Sequence, residues 1–273
     1  MKNILLLTDF SKNAQNAIDY ALQFFKGARH HFYLLYVHKV SNYTMGNLMA
    51  SSGSIYDSII KDPKAGLKAM IEEFEKRYPT EDYSFEAICD YDSFISAVSQ
   101  TITLKNINLI VMGTNGATGA KEVLFGSNTL SVIRNINYPV LVIPQGYHYV
   151  KPAHILYVIE YKGVFETGSL QPLVEVLAKH HSELDILALT DGELVTDTVA
   201  NEIAAFFMGT PLNFHSMSNV KADVAINCFV QLKNIDLIAK VICKETFIKR
   251  VLSGSSTHKI TYQSSMPLLI MHP

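Results

Sequence analysis

Six residues recur almost unchanged in this chain. Lys105-Asn-Ile-Asn-Leu-Ile110 returns as Lys233-Asn-Ile-Asp-Leu-Ile238, a separation of 233 − 105 = 128. The same separation carries Gly126-Ser127 onto Gly254-Ser255, Thr129 onto Thr257 and Pro139 onto Pro267, so one register holds from Lys105 to Pro144 without a gap. A period of that length is too long for a solenoid unit and fits a duplicated domain. A chain of 273 residues divides naturally into two domains of roughly 100–150 residues. The openings of the halves match more loosely: Ile4–Asp9 lines up with Ile155–Glu160 at a separation of 151. The first half therefore carries 151 − 128 = 23 more residues between its ends. They are assigned to Ser41–Lys64, which is rich in Ser, Gly, Asn and Met, lacks a clean period and reads as a long loop or lid. The boundary falls near Gln145–Pro152, giving expected domains 1–146 and 147–273.

Within the first half, short apolar runs alternate with helical patterns. Strands are expected at Leu5–Thr8, Phe32–Val37, Tyr83–Ile88, Leu109–Met112 and Val140–Ile143. Between them, Ala14, Ala17, Ile18, Ala21, Leu22 and Phe25 are spaced as one helical face, and further helices are expected around Leu67–Tyr78, Phe94–Leu104 and Asn128–Asn135. Continuous apolar strands alternating with helices imply an α/β fold with a parallel sheet covered on both faces. Right-handed crossovers make each half doubly wound, with any ligand at the carboxyl ends of the strands.

Bulk properties narrow the function. A formal charge of −2 with no Lys/Arg block argues against a protein that binds nucleic acid by neutralising phosphates. The apolar run Ile4–Leu7 is too short for a signal-peptide core or a membrane span, so no membrane association is expected. Cys89, Cys228 and Cys243 show no CxxC spacing and are read as reduced, structural thiols, which favours a cytoplasmic protein.

The chemistry is concentrated after the fourth strand. Met112-Gly113-Thr114-Asn115-Gly116 leads through nine further residues to Gly126-Ser127-Asn128-Thr129, giving G-x2-G-x9-G-S. Gly113 and Gly116 would let the backbone turn sharply and approach a bulky anion. Gly126 and Ser127 stand where the next helix begins, so free N–H groups and the helix dipole would meet the same anion, with Ser127 and Thr129 adding hydroxyls. The spacing is neither a Walker A loop nor the Rossmann GxGxxG. Three glycines in one loop are also ordinary turn residues, and Gly126-Ser127 an ordinary helix start.

With this loop, the opening Thr8-Asp9-Phe10-Ser11 and the second-strand pattern Leu34-Leu35-Tyr36-Val37, the sequence resembles the universal stress proteins, whose ATP-binding members carry G-x2-G-x9-G-(S/T) after the fourth strand. The resemblance extends through the repeat over the whole chain. It implies two tandem Rossmann-like domains of the adenine nucleotide alpha hydrolase-like type, forming an internal pseudo-dimer through their last strands, Val140–Ile143 and Leu268–Met271. It implies ATP or another adenine nucleotide as ligand, with Mg²⁺, and leaves room for a further homo-oligomer. By position, Asp9 matches the carboxylate that meets the ribose or adenine side, with Thr8 beside it. Val37 matches the residue whose backbone addresses the adenine edge. Met112 and Gly113 flank the ribose and phosphates, and Gly116, Gly126, Ser127, Asn128 and Thr129 cradle the triphosphate. Asn115 stands where the family often has His or Arg, which removes a cation from the phosphate site. Asp9 followed by Ser is equally good helix-capping chemistry, and Val37 is an ordinary core side chain.

The second half keeps less of the loop. Val241, Cys243 and Lys244 replace Gly113, Asn115 and Gly116, and Glu160 replaces Asp9, while Gly254, Ser255 and Thr257 persist. One ATP per chain is therefore expected, in the first half. Copying Val and Lys into positions 113 and 116 is expected to abolish binding with little loss of helix. The pairs His30-His31 and His180-His181 are read as solvated helix ends rather than metal ligands, and Asp90 and Asp92 as capping groups for the helix at Phe94. No nucleophile–base arrangement stands out, so the leading expectation is a nucleotide-dependent stress-response or regulatory protein. A slow Mg²⁺-dependent ATPase, and a scaffold or chaperone-like protein with incidental nucleotide, are the alternatives.

Overall fold

The computed structural model describes residues 1–38, 53–114, 125–160, 167–192, 195–242 and 266–273, with the side chains of 53–62 outside that description. The chain forms two compact units, Met1–Gly113 and Thr114–Pro273. Both are α/β, and together their described residues supply ten strands interleaved with helices.

The first unit runs β1 (Lys2–Thr8), α1 (Lys12–Phe24), β2 (His30–Val37), α2 (Gly53–Arg77), β3 (Tyr83–Asp90), α3 (Phe94–Lys105) and β4 (Leu109–Gly113). Its strands lie in the order β3-β2-β1-β4, and every pairing is parallel. Ile4, Leu5 and Leu6 are consecutive and wholly buried. Successive strand residues point to opposite faces, so both faces of β1 are covered. The chain leaves β1 for β2 on one side and reaches β4 on the other. The order therefore reverses between β1 and β4, which makes that crevice the topological switch point. The reading of Ser41–Lys64 as a loop is corrected for residues 53–64, which open the 25-residue helix α2. Pro63 hid them, because a proline lacks a donor and usually ends a helix; here it lies inside α2 and is buried. The remainder of that stretch falls outside the described residues.

The second unit contains α4 (Ser127–Asn135), β5 (Val140–Ile143), β6 (His154–Glu160), α5 (Gln171–His180), β7 (Glu183–Thr190), α6 (Asp197–Phe206), β8 (Leu212–Ser218), α7 (Ala222–Leu232), β9 (Leu237–Val241) and β10 (Leu268–Met271). Their order is β5-β10-β9-β6-β7-β8. β10 runs parallel to β9 but antiparallel to β5, with Leu268, Leu269 and Ile270 opposite Val142, Leu141 and Val140.

Strand register reproduces the two sequence separations. In the first unit Ile4 pairs with Leu109; in the second Ile155 pairs with Leu237, 151 and 128 residues further on. The repeated hexapeptide makes the same clamp twice. Asn3 N–H donates to Asn108 Oδ1 at 2.8 Å, and His154 N–H donates to Asp236 Oδ2 at 2.9 Å. The reciprocal bonds, Asn108 N–H to Asn3 O and Asp236 N–H to His154 O, are 2.7 and 2.9 Å. Asn and Asp interchange at this position because the clamp needs only a side-chain oxygen acceptor. The motif's lysine is tied in both units to a carboxylate on a neighbouring strand, Lys105 to Glu86 at 2.7 Å and Lys233 to buried Asp185 at 2.5 Å.

The histidine pairs differ from expectation. His30 and His31 open β2, with His30 buried among the rings of Phe25, Phe32 and Tyr83. His180 is the buried last residue of α5, and only the left-handed cap His181 is exposed. Aromatic rings surround His30, and both His30 and His180 are buried, which adjacency in sequence does not reveal.

Candidate functional site at the carboxyl end of the strands

In the first unit, β1 and β4 end level. Leu6 pairs with Val111, so Thr8 and Gly113 stand two residues further along the same register, on either side of the switch crevice. Thr8 is buried and its Oγ1 accepts from Phe10 N–H at 3.1 Å. Asp9 is exposed, and one carboxylate oxygen accepts from Ser11 N–H at 3.0 Å. Ser11, not Asp9, is the N-cap of α1, accepting from Ala14 N–H at 3.2 Å. The capping role is thus filled by a neighbour, and Asp9 keeps acceptor capacity directed to solvent.

Phe10, between them, adopts φ 62°, a conformation rare for a bulky L-residue. Its ring lies 5.0 Å from that of Tyr36, the last-but-one residue of β2. On its other side it packs on Gly66 of α2, where a Cβ would approach within 3.0 Å. Burial, with the nearby Cys89 thiol and Asp9 carboxylate adding, pushes the Tyr36 phenol above its ordinary range. Val37 follows, half-buried, opposite Asp90 of β3.

Met112 is buried within β4. Gly113 closes the strand with negative φ, and its glycine requirement has a different origin from the expected sharp turn. A Cβ there would lie 2.8 Å from the backbone oxygen of Asn13 and 2.9 Å from its side-chain amide. Helix α1 is therefore seated against the bare backbone of β4. The expectation that valine at 113 costs little structure is corrected accordingly. Asn13 is itself 9% exposed, and its Oδ1 has no hydrogen-bond partner among the described residues.

Asn115 and Gly116 lie outside the described residues. In the second unit, Gly126 is the N-cap of α4 with φ −64° and ψ 161°, and without a side chain it caps nothing. Its carbonyl accepts from Leu130 N–H at 3.0 Å. Ser127 (exposed), Asn128 (half-buried) and Thr129 (buried) form the first turn, whose N–H groups have no intrahelical acceptor. The structure thus brings Thr8, Asp9, Met112 and Gly113 together across one crevice, with Val37 one strand over, and sets Gly126–Thr129 at one helix start. Sequence reasoning missed Asn13, Phe10 and Tyr36. The signal for Asn13 was an amide immediately preceding the buried-face residue Ala14.

The described part of this crevice holds an exposed carboxylate, Asp9, and a buried acceptor, Asn13 Oδ1, without a hydrogen-bond partner among the described residues. Asp90 and Asp92 are used in the turn before α3, Asp90 accepting from Asp92 N–H and Asp92 from Ser93 N–H, while Ser93 caps the helix. Among the described residues no group of three His, Cys, Asp or Glu could hold a metal ion, and no helix is long and apolar enough to cross a membrane.

Comparison with known proteins agrees with this architecture. The sequence profile of the universal stress protein family matches residues 1–144. Universal stress protein MJ0531 of Methanocaldococcus jannaschii is 30% identical over 148 residues, 53% of this chain and 82% of the relative. Universal stress protein MJ0577 of the same organism is 26% identical over 157 residues, 53% of this chain and 95% of the relative. The fold resembles a crystal structure of a universal stress protein from Archaeoglobus fulgidus, with a TM-score of 0.73 at 16% identity, covering 99% of this chain and 98% of the other. On the family profile and the relatives' shared length, this chain belongs to the universal stress protein family.

Proposed function

We propose that the protein binds an adenine nucleotide, ATP with Mg²⁺ in the first instance, in a first domain spanning residues 1–146, and acts as a nucleotide-dependent stress-response or regulatory protein. A second domain, residues 147–273, is its tandem partner without a nucleotide site. The observation that carries this reading is the placement of Asp9 and Gly113 on the two strands that flank the switch crevice, where open α/β sheets receive their ligands. The G-x2-G-x9-G-S loop runs on from Gly113. Asp9 accepts from the ribose hydroxyls, Thr8 holds the turn behind it, and the backbone of Val37 addresses the base. Met112 and Gly113 line the ribose side, and Gly116, Gly126, Ser127, Asn128 and Thr129 offer N–H and hydroxyl donors to the phosphates. Asn115 contributes no charge there.

The hydroxyl–imidazole contact of Ser84 Oγ with His31 Nδ1, at 2.9 Å, lies at the amino-terminal ends of β3 and β2, away from the crevice, which supports a switch rather than an efficient hydrolase. The antiparallel pairing of β5 with β10 supports reading the two halves as an internal pseudo-dimer. Mass spectrometry of the small molecule released on denaturing freshly purified protein should detect an adenine nucleotide, and calorimetry of the stripped protein should restore its binding. Absence of both would overturn the reading.

A further inference from the structure

We infer that Lys240 is a tethered cation that takes a ligand's place in the second half, closing the β6–β9 crevice to nucleotide with the chain's own side chain. This rests on the assignment of the β1–β4 crevice as the nucleotide site of the first half. In the second unit the strand order reverses between β6 and β9, so that crevice is the second switch point. Val158 of β6 stands opposite Lys240 of β9. The separations of 151 and 128 that relate the ladders carry Glu160 back to Asp9, Lys240 to Met112 and Val241 to Gly113.

At the positions where the first half offers an exposed carboxylate and a methionine, the second half carries opposite charges. Lys240 Nζ donates to Glu160 Oε1 at 2.7 Å across the crevice, and the lysine side chain is only 8% exposed. A lysine is seldom buried without a partner, and Glu160 supplies it. An acceptor that would otherwise receive ligand hydroxyls is committed within the protein. A nucleotide entering there would have to displace an ammonium already desolvated against its carboxylate, which is costly for a buried pair.

The adjoining strand end changes in the same sense. Gly113 has no Cβ because Asn13 of α1 occupies that space. Val241 has one, and in the second half the next described helix begins at Gln171, eleven residues past the end of β6 at Glu160, where α1 begins four residues past Thr8.

The test is native reductive methylation of lysines read by mass spectrometry, with exposed Lys221 as internal reference. Lys240 should be labelled at least about tenfold more slowly than Lys221, as burial and ion pairing require, and Glu160→Ala should remove most of that difference. Lys240→Met should lower the melting temperature by about 5–10 °C, as removing one member of a buried ion pair does. Should that variant fail to fold, the charge-neutral double change Lys240→Met with Glu160→Gln should restore it. Labelling of Lys240 as fast as Lys221, or additive effects in the double-mutant cycle, would overturn the inference. So would two nucleotides bound per wild-type chain. No nucleotide at all would instead overturn the first-half assignment, and the labelling would then decide the Lys240–Glu160 pair by itself.

Discussion

Asp9 and Gly113 illustrate how a residue can be legible for the right place and the wrong reason. Asp9 is separable from capping because Ser11 already serves α1. Its removal should therefore reach ligand affinity without reaching the helix. Asp9→Ala is expected to weaken nucleotide binding by about 1–3 kcal/mol, the usual range for a charged hydrogen-bond acceptor, with an unchanged melting temperature. Unchanged calorimetric affinity would leave Asp9 a turn residue. Gly113 behaves oppositely. A Cβ placed 2.8 Å from the backbone oxygen of Asn13 meets main chain rather than a side chain that can rotate away. Gly113→Ala should therefore destabilise the first unit by about 1–3 kcal/mol, as overpacking does, and chemical denaturation should register that loss without ligand. Sequence alone marked Gly113 as special, but the cause lies in a helix about 100 residues earlier in the chain, which no local pattern contains.

At the level of elements, periodicity located β1, α1, β2, α3, β4, α4 and β5 because each buries an apolar set, and β3, whose residues are at most half-buried, from its apolar and aromatic run. It failed where a single residue contradicted its surroundings: Pro63 masked the opening of α2, and histidines masked burial at β2 and α5. His180 shows which effect dominates at such a position. The carboxyl end of α5 favours a cation by about 0.3–1 kcal/mol. Burial, followed by the charges of Lys179, Lys151 and His181, nevertheless lowers the His180 pKa from 6.5 to about 4. The imidazole is thus neutral in the folded chain at neutral pH. Between pH 6.5 and 4 the unfolded chain binds a proton that the folded one does not, so stability present above that window is lost as pH falls through it. We expect a loss on the order of 1–2 kcal/mol from this residue, discounted for partial screening. His180→Leu should flatten the dependence of unfolding free energy on pH between 7 and 4. An equal slope in the variant would assign the acid sensitivity elsewhere.

For the whole molecule, the repeat was the most informative feature in the sequence, and its two separations recur as strand register in the two units. The compact units nevertheless divide at Gly113, not near Gln145 where the repeat ends. The reason is β5: it belongs to the first half by sequence, yet it lies against β10, the last strand of the second. Four apolar residues on each strand are fully buried. An apolar strand edge of this kind invites pairing with any available partner. If the partner is the other half of the same chain, the pairing is unimolecular and cannot respond to concentration; if it is a second chain, mass action weakens it on dilution. Amide hydrogen exchange across β5 and β10 distinguishes the two. We expect protection at Val140, Val142, Leu268 and Ile270 to remain constant over about a hundredfold dilution, because an intrachain pair opens only by local or global unfolding. Protection that falls as the protein is diluted would place the pairing between chains and end the case for an internal pseudo-dimer.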